Sequence, residues 1–115
     1  MPSSCSSPDA ATSACAASTV ALDFETAYGS GYSVQDLGYS AYVRDPRFRA
    51  LLVAVAGGEH RASCRPSAFP WDLLHGKTLI AHNAAFDRAV FTRLQETGGI
   101  PSPVRPTAWH DTAAL

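Results

Sequence analysis

Asp23 and Glu25, two carboxylates two residues apart, are the sharpest candidates for chemistry in this chain. They sit in Thr19-Val20-Ala21-Leu22-Asp23-Phe24-Glu25, a stretch of strand composition. Residues two apart on a strand share a face. The two acids therefore project together, opposite an apolar face of Val20, Leu22 and Phe24. Alone they repel, and one tends to take up a proton. A hard divalent cation such as Mg2+ prefers carboxylate oxygen and relieves that repulsion. The plain alternative is a strand end with two solvated acids.

The second candidate group is His82-Asn83-Ala84-Ala85-Phe86-Asp87. Thr78–Ala81 before it predicts a short apolar strand, and Ala84–Glu96 after it has helical spacing, with Phe86, Val90 and Leu94 on one stripe. Asn83 stands where an N-cap belongs and can accept a bond from the first-turn amides. Asp87 is expected on the second turn beside that stripe, facing the space beyond the strand ends. Open α/β sheets tend to place their sites there. The alternative is a capped helix with a favourable acid near its start. His60, Cys64, His75 and His110 match no zinc spacing. Arg88 and Arg93 flank the helix as candidate phosphate contacts or solvated charges, and Trp71 and Trp109 read as core. No Walker loop, dinucleotide fingerprint, nucleophile elbow or deaminase motif occurs.

The elements that must position these groups read as a mixed α/β sheet. Residues 1–17 are mostly Ser, Ala, Pro and Thr and predict a disordered tail, with no basic start of a secretory signal. Residues 18–115 form the domain. After the first strand, residues 28–38 predict a loop around a short helical turn. Tyr39–Val43 predicts a second strand, stopped at Asp45-Pro46. Leu51–Ala56 is a continuous apolar run ended by Gly57-Gly58, which predicts a central strand buried on both faces. Residues 59–70 read as a polar return, Trp71–His75 as a helical turn, and Thr107–His110 as a last strand.

Composition fits this picture. The 115 residues are 46% hydrophobic and 17% charged, with a mean hydropathy of −0.04. That suits one small domain and excludes global disorder and a bilayer span. Three cysteines without a CxxC pair argue against a disulfide framework and for a reducing, cytoplasmic compartment. Charge is uneven. Residues 1–43 hold four acids and no Lys or Arg, whereas residues 44–115 hold nine bases, eight of them arginine. Arginine suits phosphate, although a scattered set is also an ordinary solvated surface.

Taken together, the motifs resemble those of the DEDD 3′–5′ exonucleases, which have the ribonuclease H-like fold. Asp23-Phe24-Glu25-Thr26 resembles the first motif, D-x-E-T, and Leu79–Asp87 resembles the second, an apolar strand followed by H-N-x-x-F/Y-D. Asp111-Thr112 resembles the D-T found next in proofreading domains of family A and phage-type DNA polymerases. The resemblance covers residues 18–115. It implies a two-metal phosphodiesterase using Mg2+ or Mn2+. Asp23 would bridge both ions, Glu25 would bind the water-activating ion, and Asp87 would hold the second, partly through water. Thr26 and Asn83 would contact the terminal nucleotide, and Phe24 would line the site through its backbone. The implied substrate is a single-stranded DNA 3′ end, or RNA. A polymerase domain or a second chain is the implied partner.

A third motif, Y-x-x-x-D or H-x-x-x-x-D, is called for after the second and is not present. The only acids after Asp87 are Glu96 and Asp111, and positions 106 and 107 are Pro and Thr. Tyr32-Ser33-Val34-Gln35-Asp36 matches the spacing but precedes the second motif. The expectation is a ribonuclease H-like domain incomplete at its C-terminal end, with one sheet face uncovered and marginal stability. Two functions compete: an exonuclease, and an inactive remnant that binds nucleic acid or a partner. An unrelated metal-binding α/β domain is a third reading.

Overall fold

The protein is described as a computed structural model over residues 8–114. Its centre is a five-stranded sheet of β1 (Thr19–Thr26), β2 (Ala50–Gly57), β3 (His60–Cys64), β4 (Thr78–Ala81) and β5 (Ala108–Asp111), in the order β3-β2-β1-β4-β5. β1 runs antiparallel to β2 and parallel to β4. β2 is antiparallel to β3, and β5 is parallel to β4. The helices are α1 (Pro8–Ala14), α2 (Val34–Leu37), α3 (Tyr39–Arg44) and α4 (Ala84–Glu96). Short 3-10 turns cover Pro66–Ala68, Trp71–Leu74 and Thr112–Ala114.

The expected α/β class with a mixed sheet is observed, and the alternation in β1 holds. Val20, Leu22 and Phe24 are buried, while Ala21, Asp23 and Glu25 are exposed. The register extends the buried face sideways to Val53, Val55, Ala62, Leu79 and Trp109. Phe69, Trp71, Leu74, Val90, Phe91, Ile100 and Val104 complete the core. Trp71 sits at its middle, stacked on Phe24 at 6.1 Å and edge-on to Phe91 at 5.9 Å. Its indole N–H donates to the Pro66 carbonyl at 2.9 Å, so the ring is buried without an orphaned donor.

Four expectations need correction. Tyr39–Val43 is not a strand but lies in α3: adjacent Tyr42 and Val43 are both buried, against the alternation of a strand, and Tyr42 meets Phe86 of α4 at 6.2 Å. Residues 59–70 are not simply a polar return. Ala62 and Cys64 point inward while His60, Arg61 and Ser63 point out, which is the pattern of edge strand β3. β2 is fully buried on one face only, since Ala54 and Ala56 remain half-buried. Segment 1–17, expected as a disordered tail, contains α1; Ala11, Ala14 and Cys15 recur at helical spacing and are buried. Residues 1–7 lie outside the described residues. α1 closes over the end of β2 at Gly57, where a Cβ would run into the Ala14 carbonyl oxygen.

Cys15 is a buried free thiol, whereas Cys64 is disulfide-bonded. Among the described residues, no helix is long and apolar enough to cross a membrane.

The opposite face of the sheet is open. Arg61, Ala56, Ala21, Ile80 and His110 form a row across all five strands. Ser63, Ala54 and Asp23 form the next row. Apart from His110, these residues border a groove of about 790 Å³ together with His82 and Thr112.

Candidate metal and nucleic-acid site

β1 is longer than its neighbour β4, and that mismatch builds the site. The parallel ladder between them ends at Ala21 and Ile80, while β1 continues to Thr26. Backbone donors on that edge of β1 then need other partners, because an unpaired buried N–H is costly. The Phe24 N–H is one of them. It donates to Asp87 Oδ1 at 3.0 Å, across 63 residues of sequence. Helix α4 starts over the gap and supplies that carboxylate from its first turn.

Asp87 is 3% exposed and, among the described residues, is the one charged or polar side chain that is buried. It lies beside Val90 of the expected stripe, but it is buried against β1 rather than facing open space. The buried face of α4 is Ala84, Asp87, Val90 and Phe91, one position further round, and Phe86 turns toward α3. Burial pushes the Asp87 carboxyl up to about 6. The Phe24 N–H opposes this, while the charges of Asp23 and Asp111 push the same way. Asp87 thus feels both of those carboxylates. Asp111 ends β5 opposite Ala81, on the face that α4 covers.

Asp23 and Glu25 share the open face, as their spacing predicts. Glu25 lies opposite Leu52, just before an irregularity in the β1–β2 register. Asp23 and Asp87 therefore approach the gap from opposite faces of the sheet. Among the described residues, no three His, Cys, Asp or Glu side chains already form a group that could hold a metal ion. The donor chemistry nonetheless fits a hard cation. The acids are oxygen donors, and a positive charge would relieve the repulsion that Asp87 feels.

The residues expected to bind substrate lie around the same gap. Phe24 contributes its backbone through the Asp87 bond, while its ring belongs to the core. Tyr42 Oη lies 2.5 Å from the Ala27 carbonyl and 2.7 Å from Thr26 Oγ1. A phenol has one proton, so with that proton on the carbonyl the Thr26 hydroxyl supplies the other bond. Thr26 Oγ1 remains an acceptor. Asn83 is the N-cap of α4 but makes no side-chain capping bond. Its Oδ1 instead accepts from Tyr39 Oη at 3.0 Å. His82 Nδ1 stands 3.3 Å from Thr112 Oγ1, which ties the end of β4 to the turn after β5.

Sequence reasoning assigned no role to Tyr39, Tyr42 or Asp111. For the tyrosines no local signal exists, because α3 meets α4 only in the fold. For Asp111 the D-T pair was a signal, but its proximity to Asp87 comes from the parallel pairing of β5 with β4. No protein-family model and no curated protein matches this chain.

Proposed function

We propose that the chain is a metal-dependent 3′–5′ exonuclease domain with a ribonuclease H-like sheet, acting on single-stranded nucleic-acid 3′ ends in the manner of a polymerase proofreading domain. The observation that carries this reading is the direct bond between the two motifs, Phe24 N–H to Asp87 Oδ1. Segments 63 residues apart, picked out by residue type alone, meet at the backbone. The strand order β3-β2-β1-β4-β5, with the first three strands antiparallel and the last two added in parallel, supports it.

In this reading Asp23, Glu25 and Asp87 would hold two Mg2+ or Mn2+ ions, which lower the pKa of the attacking water and stabilise the leaving oxygen. The residues of the chain do the positioning. Asp87 is anchored to β1, so its second oxygen keeps a fixed direction. Asp23, one residue before Phe24, is held by the same bond. Thr26 and Asn83, at the mouth of the gap, would take the terminal nucleotide.

Release of nucleoside monophosphates from the 3′ end of a single-stranded oligonucleotide, in Mn2+, tests the reading. Activity that vanishes in Asp23→Ala and in Asp87→Ala is expected. If neither this chain nor a version extended at its C-terminus releases nucleotides, the reading falls.

A second reading has its own support in the carboxylates, which are not gathered into a metal-holding group among the described residues: a non-catalytic module that binds nucleic acid or a partner subunit, such as a polymerase domain. Cleavage by the chain itself, abolished by Asp87→Ala, would exclude it. Oligonucleotide binding that is indifferent to metal and to Asp87→Ala would favour it.

A further inference from the structure

Asn83 combines three features that α4 does not require. It is the one non-glycine residue among those described with a positive φ, at 124°. Such backbone strain persists where the surroundings impose it, and it concentrates at functional positions. Asn83 also forgoes the capping bond that an asparagine at this position ordinarily makes. Finally, its side-chain oxygen is taken by Tyr39 Oη at 3.0 Å, across 44 residues.

Tyr39 is well placed to impose this. It opens α3, is half-buried, and packs its ring 6.3 Å from that of Phe86. Phe86 immediately precedes Asp87, so the clamp and the buried carboxylate share one turn of α4. With Oδ1 held toward the tyrosine, the Nδ2 protons of the Asn83 amide are directed away from it. Asn83 itself is exposed. An amide fixed in this orientation presents Nδ2 as its free donor, suited to an oxygen acceptor.

We infer that Tyr39 is a positioning residue. It locks the Asn83 amide so that Nδ2 donates to an oxygen of the terminal nucleotide. The inference rests on the exonuclease reading above and adds to it a residue that acts through Asn83 rather than on the substrate.

Calorimetric titration of thymidine 5′-monophosphate, the product-like probe, into the Mn2+-loaded chain tests it. Tyr39→Phe keeps the ring and its packing but loses the hydroxyl. It should weaken nucleotide binding about five- to tenfold and leave Mn2+ binding and the melting temperature unchanged. Asn83→Ala should weaken nucleotide binding at least as much. Tyr39→Phe/Asn83→Ala should be no weaker than Asn83→Ala alone, since coupled residues do not add. Asn83→Asp, which keeps the acceptor for Tyr39 and loses the donor, should not restore binding. Wild-type affinity in Tyr39→Phe, or additive losses in the double variant, would overturn the inference and leave the exonuclease reading standing. A wild-type chain that binds Mn2+ but no nucleotide would overturn both.

Discussion

At the scale of single residues, Asp87 is the unusual group. Its carboxyl titrates near 6 in the fold, against an ordinary value of 3.8. Folding therefore favours its protonated form. The stability it contributes is complete below about pH 4 and is lost as pH rises through about 6. By linkage the loss is on the order of 2–3 kcal/mol. Asp45, held down to about 2 by Arg47, works in the opposite direction and in a lower window. Urea unfolding of the metal-free chain should thus give higher stability at pH 4.5 than at pH 7.5. Asp87→Asn keeps an oxygen for the Phe24 N–H and removes the charge. It should abolish that difference, raise stability at pH 7.5 by about 1–2 kcal/mol, and remove Mn2+ binding. Of the site, Asp23, Glu25 and Asp87 were legible as types at a spacing. The burial of Asp87 was not, because it depends on where β4 stops beside β1. The Tyr39–Asn83 bond was equally hidden, since nothing local relates positions 39 and 83.

At the scale of elements, legibility followed how strongly each segment's pattern was its own. β1, β4, α4 and the turn at Trp71–Leu74 were plain from apolar spacing and flanking residues. Tyr39–Arg44 was ambiguous, since a six-residue aromatic segment satisfies both periods, and packing on Phe86 decides for helix. β3 kept its alternation under a polar composition and was missed for that reason. α1 hid its Ala11, Ala14 and Cys15 face in a Ser- and Ala-rich stretch. Its docking onto β2 hangs on Gly57. Gly57→Ala should cost about 1–3 kcal/mol, in the range of overpacked sites. The same variant should speed proteolytic cleavage between residues 8 and 17. An unchanged cleavage pattern would mean that α1 docks without the close approach at Gly57.

At the scale of the whole molecule, the two faces of the sheet differ in what covers them. Leu79 and Ile80 are neighbours on β4, one fully buried and one half-exposed on the groove side. Leu79→Ala should cost roughly 2–5 kcal/mol, and Ile80→Ala under about 1 kcal/mol, by chemical denaturation. A large loss from Ile80→Ala would show that the groove is filled in solution. β1 lies third of five in the sheet but first among the strands in the chain. Its pairing with β2 can form early, but its other edge has no partner until residues 78–81 have been synthesised. During translation, Val20, Leu22 and Phe24 therefore wait as an apolar strand with an unpaired edge, which is the state most open to chaperone capture and aggregation. The yield of folded protein should depend on how promptly the second half of the chain follows the first.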